Sequence, residues 1–135
     1  MFKYAIAYGA SVVVFLGLDF VWLSFASGNF YRPQLGDLLL PKPNLSVAAV
    51  FYLIYVVGVV VFAVMPAFGA RSWPVALGLG ALLGIVAYGT YDFTNLSTIK
   101  GWTTAVSLVD LAWGTILTAT AACAGYAALA LTQPR

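Results

Sequence analysis

The chain has 135 residues, 63% hydrophobic and 7% charged, with a formal net charge of +2. A soluble domain carries roughly 25% charged residues, so a mean hydropathy of +0.99 excludes a solvated globule and leaves an integral membrane protein. There is no His, no Glu and a single Cys, Cys123, which excludes His-dependent catalysis, Cys/His zinc sites, c-type haem, iron–sulfur clusters and an internal disulfide; no cofactor is expected, and without a Lys/Arg run neither is nucleic acid.

Four stretches are long enough to cross a hydrocarbon core of ~30 Å as helices of about 20 residues. The first covers 4–25. Met1-Phe2-Lys3 ahead of it resembles a signal-peptide n-region, but the run is too long for an h-region and contains Asp19, so it reads as a span. Residues 27–44 form the longest connection. Pro33 can open a short helix through Leu40 before Pro41-Lys42-Pro43 ends it, and Phe30, Tyr31 and the leucines suit a segment lying in the bilayer interface.

The second span, 45–65, is free of charge. Its length without polar alternation favours helix over barrel strand. A short turn over 66–74 places Trp73 at the aromatic-belt level. In the third span, 75–96, Gly80, Gly84, Tyr88, Asp92 and Asn95 recur at helical spacing and share one face. Gly80 and Gly84 make a GxxxG, which permits close approach of another helix, a second copy of the chain included. A tight loop over 97–103 leads to the fourth span, 104–131, where Gly114, Ala121, Gly125 and Ala128 form a stripe suited to packing on the third. The expected architecture is all-α: a single transmembrane domain, 1–135, built as a four-helix bundle with a short interfacial segment between helices 1 and 2.

The four acids are Asp19, Asp37, Asp92 and Asp110. Asp37 falls in the long connection and is expected in solvent. The other three lie inside spans, and the alternating direction of the helices brings them to one side of the bundle, roughly 6–9 Å below its surface at 1.5 Å per residue. A carboxylate at a helix centre costs ~2.5–3.5 kcal/mol on insertion scales, so lipid-facing placement is disfavoured and an inward-facing cleft is expected. Asp19-Phe20-Val21-Trp22 and Asp110-Leu111-Ala112-Trp113 share the form D-x-x-W, setting a Trp beside each Asp on its own helix face, and Asn95 stands in the same relation to Asp92. Tyr88 and Tyr91 lie on the same stretch of the third span, and Tyr31, Arg32, Lys100 and Trp102 lie in the loops on that side. The plain alternative is that the acids pair with Arg32, Lys100, Asn95 and Tyr hydroxyls and only lock the helices together.

Leu18-Asp19-Phe20-Val21-Trp22-Leu23, Phe30-Tyr31-Arg32, Tyr91-Asp92-Phe93-Thr94-Asn95-Leu96 with Lys100-Gly101-Trp102, and Val109-Asp110-Leu111-Ala112-Trp113-Gly114 together resemble a family of uncharacterised bacterial small membrane proteins, domain of unknown function 2177. The resemblance covers essentially the whole chain. It implies a bacterial inner-membrane protein of four helices and transfers no activity, substrate or catalytic residue.

The leading expectation is binding or transport of a small cationic or amphipathic, lipid-like ligand in an interhelical cleft of Asp19, Trp22, Tyr31, Arg32, Tyr88, Tyr91, Asp92, Asn95, Lys100, Asp110 and Trp113. One alternative is a membrane enzyme acting on a lipid through carboxylate acid/base chemistry, or through a hard metal on Asp19, Asp92 and Asp110. Another is a structural or accessory subunit. Membrane lipids and a homodimer are the expected partners. Lys3, Arg71 and Arg135 mark one side and Arg32, Lys42 and Lys100 the other, so the positive-inside rule divides evenly; Lys3 next to the first span favours cytoplasmic termini.

Overall fold

Four long apolar helices make up the computed structural model, which describes residues 1–134: α1 (Phe2–Leu38), α2 (Leu45–Ala70), α3 (Trp73–Thr98) and α4 (Thr104–Thr132). Hydrocarbon offers no partner for a backbone amide, so each span closes its hydrogen bonds within itself. The ends are set by side chains suited to them. Asn44 accepts from the Val47 amide at 3.2 Å and Thr103 from Val106 at 3.1 Å, capping α2 and α4. Arg71, left-handed at φ 54°, terminates α2.

Two boundaries differ from the sequence expectation for one reason. The first helix does not stop at Phe25, and the second runs through Pro66 to Ala70, leaving only Arg71 and Ser72 between α2 and α3. Each of these helices contains a π turn, Ser27–Tyr31 in α1 and Val60–Val64 in α2, two residues ahead of a proline, Pro33 or Pro66. Proline cannot donate to the carbonyl four residues back, and its ring crowds that carbonyl. A turn widened to i→i+5 bonds absorbs the extra length, and the helix continues beyond it. Gly36, at φ 53°, then ends the α-helical run and opens the 3-10 turn that finishes α1, a backbone in which other residues would be strained. At 37 residues, α1 is longer than a ~30 Å core requires, and its last turns fold back on the bundle, with Leu35 buried, Tyr31 bonded to Asp110 and Gln34 to Thr103.

The hairpin α3–α4 is the tightest pairing, and α1 packs along the other flank of α4. A Cβ on Gly84 would stand 2.6 Å from the Gly114 carbonyl oxygen, and one on Gly80 would stand 2.9 Å from the Ala119 Cα. The GxxxG face therefore lies against α4 and is not open to a second copy. Gly114 lies beneath the Tyr88 ring, as the small-residue stripe implied, but Gly125 faces Ser11 of α1 and Val64 of α2 and not α3. The core runs through Phe15, Val56, Val59, Val64, Leu117 and Leu129. The Val60–Ala70 half of α2 packs on α3, whereas the Leu45–Val59 half has almost no contact with it. The two helices diverge toward the face bearing the 99–103 loop.

Candidate binding site

The three intramembrane acids lie where α2 and α3 diverge, and they are not level. Antiparallel packing of α1 on α4 sets Asp19 against Trp113 and Asp110 against Trp22, in two layers about 4.5 Å apart, three residues at 1.5 Å each. The Trp113 indole N–H donates to Asp19 Oδ1 at 3.0 Å. The Trp22 N–H donates to the Tyr31 oxygen at 3.2 Å, and the Tyr31 hydroxyl donates to Asp110 Oδ1 at 2.9 Å. Each D-x-x-W tetrad thus provides the Trp that serves the other helix's Asp. The two indoles stack at 4.8 Å and 15° between them. The spacing sets each Trp on the helix face of its own Asp, and the hydrogen bonds run across the helix pair.

Asp92 has a different environment. It is 0% exposed, and neither carboxyl oxygen has a hydrogen-bond partner. It abuts the Asp110 carboxyl, and the Ser107 hydroxyl reaches its backbone carbonyl at 3.4 Å.

No cation meets these acids among the described residues. Arg32 donates to the Leu40 and Pro41 carbonyls at 3.0 and 3.1 Å, closing the bend after α1, and Lys100 is exposed in the α3–α4 turn. Both residues were expected beside the acids; neither meets them, because Arg32 is engaged by backbone carbonyls and Lys100 faces outward from the α3–α4 turn. Asp37 is exposed, as expected. Asp19, Asp92 and Asp110 do not form a group able to hold a metal ion among the described residues.

A cleft of about 510 Å³ opens sideways between the splayed halves of α2 and α3. Phe51, Tyr52, Tyr88 and Tyr91 line it together with Asp110. Tyr91 meets Trp102 edge-on at 5.6 Å and has Asn95 as a neighbour on its own helix. Trp102 is tied down by its N–H to the Ser107 hydroxyl at 3.1 Å.

Sequence reasoning missed the contribution of α2. Phe51 and Tyr52 enter the cleft, and the Tyr52 hydroxyl lies within reach of the Asp19 carboxylate. The available signal was tyrosine within a charge-free span, since a phenol surrounded by hydrocarbon needs an acceptor. Tyr55 finds the Thr118 hydroxyl at 2.9 Å for the same reason.

Residues 4–127 match the family described as "Predicted membrane protein (DUF2177)". No curated protein and no solved structure matches the chain.

Proposed function

We propose that this chain, which belongs to the DUF2177 family of predicted membrane proteins, binds amphipathic cations from the lipid phase of a bacterial inner membrane, as a receptor or as part of a transport cycle. The observation that carries the reading is the pairing of an apolar, sideways-opening cleft with an Asp110 carboxylate that no cation neutralises. In a low-dielectric setting an uncompensated carboxylate attracts a positive head group strongly, while the aromatic walls receive a hydrocarbon tail. Asp19, Trp22, Tyr31 and Trp113 hold the frame, and Arg32 and Lys100 have no part in it.

The test is saturable binding of octylammonium or octyltrimethylammonium to the purified chain in dodecyl maltoside, against neutral octyl glucoside. Asp110→Asn is expected to weaken cation binding at least about tenfold and to leave glucoside binding unchanged. Equal affinity of wild type and variant for both cations would sink the proposal.

The membrane-enzyme reading has one observation in its favour, a fully buried Asp92 with unbonded oxygens beside Asp110, the pattern of a carboxyl pair that exchanges a proton. Accumulation of a chemically altered lipid, dependent on Asp92, would favour it over binding. For orientation we adopt cytoplasmic termini, which turn the acidic end of the bundle toward the periplasm.

A further inference from the structure

We infer, on the footing that the Asp110 cleft binds amphipathic cations, that the head group it selects is an alkylated ammonium, tertiary or quaternary, carrying no adjacent phosphate.

The walls support the first part. Four rings, Phe51, Tyr52, Tyr88 and Tyr91, line the same cleft as Asp110. Phe51 and Tyr52 are 6.1 Å apart between centroids, and the Tyr88 ring is fixed in place over Gly114. Aromatic faces attract a desolvated cation through their quadrupole, and alkylated ammonium groups are the ligands best suited to such walls.

The supply of acceptors separates the ammonium classes. A primary ammonium presents three N–H donors, and each one left unbonded after desolvation is costly. Asp110 Oδ1 already accepts the Tyr31 hydroxyl, and the Thr90 hydroxyl is directed to the Val86 carbonyl at 2.6 Å. Helical carbonyls are engaged along their own helices. What remains is one Asp110 oxygen and the phenol oxygens, a poor match for three donors. A quaternary head needs no acceptor at all, and a tertiary one needs a single acceptor. Asp92, 0% exposed beside Asp110, lies behind the wall and adds no acceptor at its surface.

The cations rule on phosphate. Arg32 is bonded to the Leu40 and Pro41 carbonyls and Lys100 lies exposed in the loop. A phosphodiester beside the ammonium would enter the cleft without a partner.

Binding to the full chain in dodecyl maltoside would be compared for octyltrimethylammonium, octylammonium, octylphosphocholine and tetramethylammonium. Octyltrimethylammonium is expected to bind at least about tenfold more tightly than octylammonium and more tightly than octylphosphocholine. Phe51→Leu, on an exposed rim where folding tolerates the change, is expected to remove most of that preference. Tetramethylammonium binding as tightly as the octyl form would support the head-group assignment and make the ligand a free cation; much weaker binding would support it and make the ligand an amphiphile. Octylammonium binding as tightly as octyltrimethylammonium, with both dependent on Asp110, overturns this inference and leaves the cation-binding proposal standing, as does preferential binding of octylphosphocholine. Absence of any Asp110-dependent binding overturns the cation-binding proposal itself.

Discussion

Asp92 is the side chain whose surroundings fit a purely structural role least well. A buried polar group without a partner costs about 1–3 kcal/mol, and Asp92 has two such oxygens at 0% exposure. Asn in its place would offer a permanent N–H₂ donor to Asp110. Asp92→Asn is therefore expected to raise thermal stability in detergent by about 1 kcal/mol, read as an upward shift of the unfolding midpoint. A fall in the midpoint would show that the native carboxyl is already satisfied. Asp19 is the contrasting case. It is 5% exposed but holds the Trp113 N–H, so replacing it with Leu would strand that donor and lower stability.

Glycines decide how closely the helices pair, and prolines where they widen. Gly84 leaves no room for a side chain against Gly114 and Thr115, so Gly84→Leu must push α3 from α4 along their whole contact. The expected cost is about 3 kcal/mol or more, the upper end of overpacking penalties, measured as loss of the monodisperse folded species in detergent; Leu at exposed Gly78, with nothing within 4 Å of its Cβ position, should change little. Pro33 and Pro66 act differently. Each follows a π turn that shifts the helix beyond it by one residue relative to a straight α-helix, and in α1 that shift brings Tyr31 to within 6.4 Å of Trp22 between ring centroids. Without the π turn, nine residues at about 100° each would set Trp22 and Tyr31 on opposite faces of the helix. The Tyr31–Asp110 bond depends on that turn.

Taken whole, the bundle concentrates its intramembrane charge in one half. Three carboxylates lie toward the 99–103 loop, while the other end of α2 and α3 closes in small and aliphatic residues. Among the described residues, Lys3 and Arg71 lie toward one end of the bundle and Arg32, Lys42 and Lys100 toward the other, too even a division for charge counting to orient the chain. In the proposed orientation a single cysteine placed at exposed Lys100, in a Cys123→Ala background, is expected to react with a membrane-impermeant maleimide added to intact spheroplasts. Reaction only after lysis would reverse the orientation and turn the acidic half to the cytoplasm.

The sequence by itself determined the membrane setting, the four helices and the side of the bundle on which Asp19, Asp92 and Asp110 fall, because length, hydropathy and alternating direction are properties of the chain read one segment at a time. The face shared by Gly80, Gly84 and Asp92 was legible for the same reason: helical spacing fixes it. Interhelical partners were not legible. That Trp113 serves Asp19, that Trp22 reaches Asp110 through Tyr31, and that Arg32 turns to its own backbone depend on the rotation and register of one helix against another. Those are set by where glycine permits close approach and where a π turn shifts the helix, sums over many contacts that no single segment contains. The cleft itself arises from α2 parting from α3, and only the tertiary structure could decide that, since a gap is a property of two helices and of neither alone.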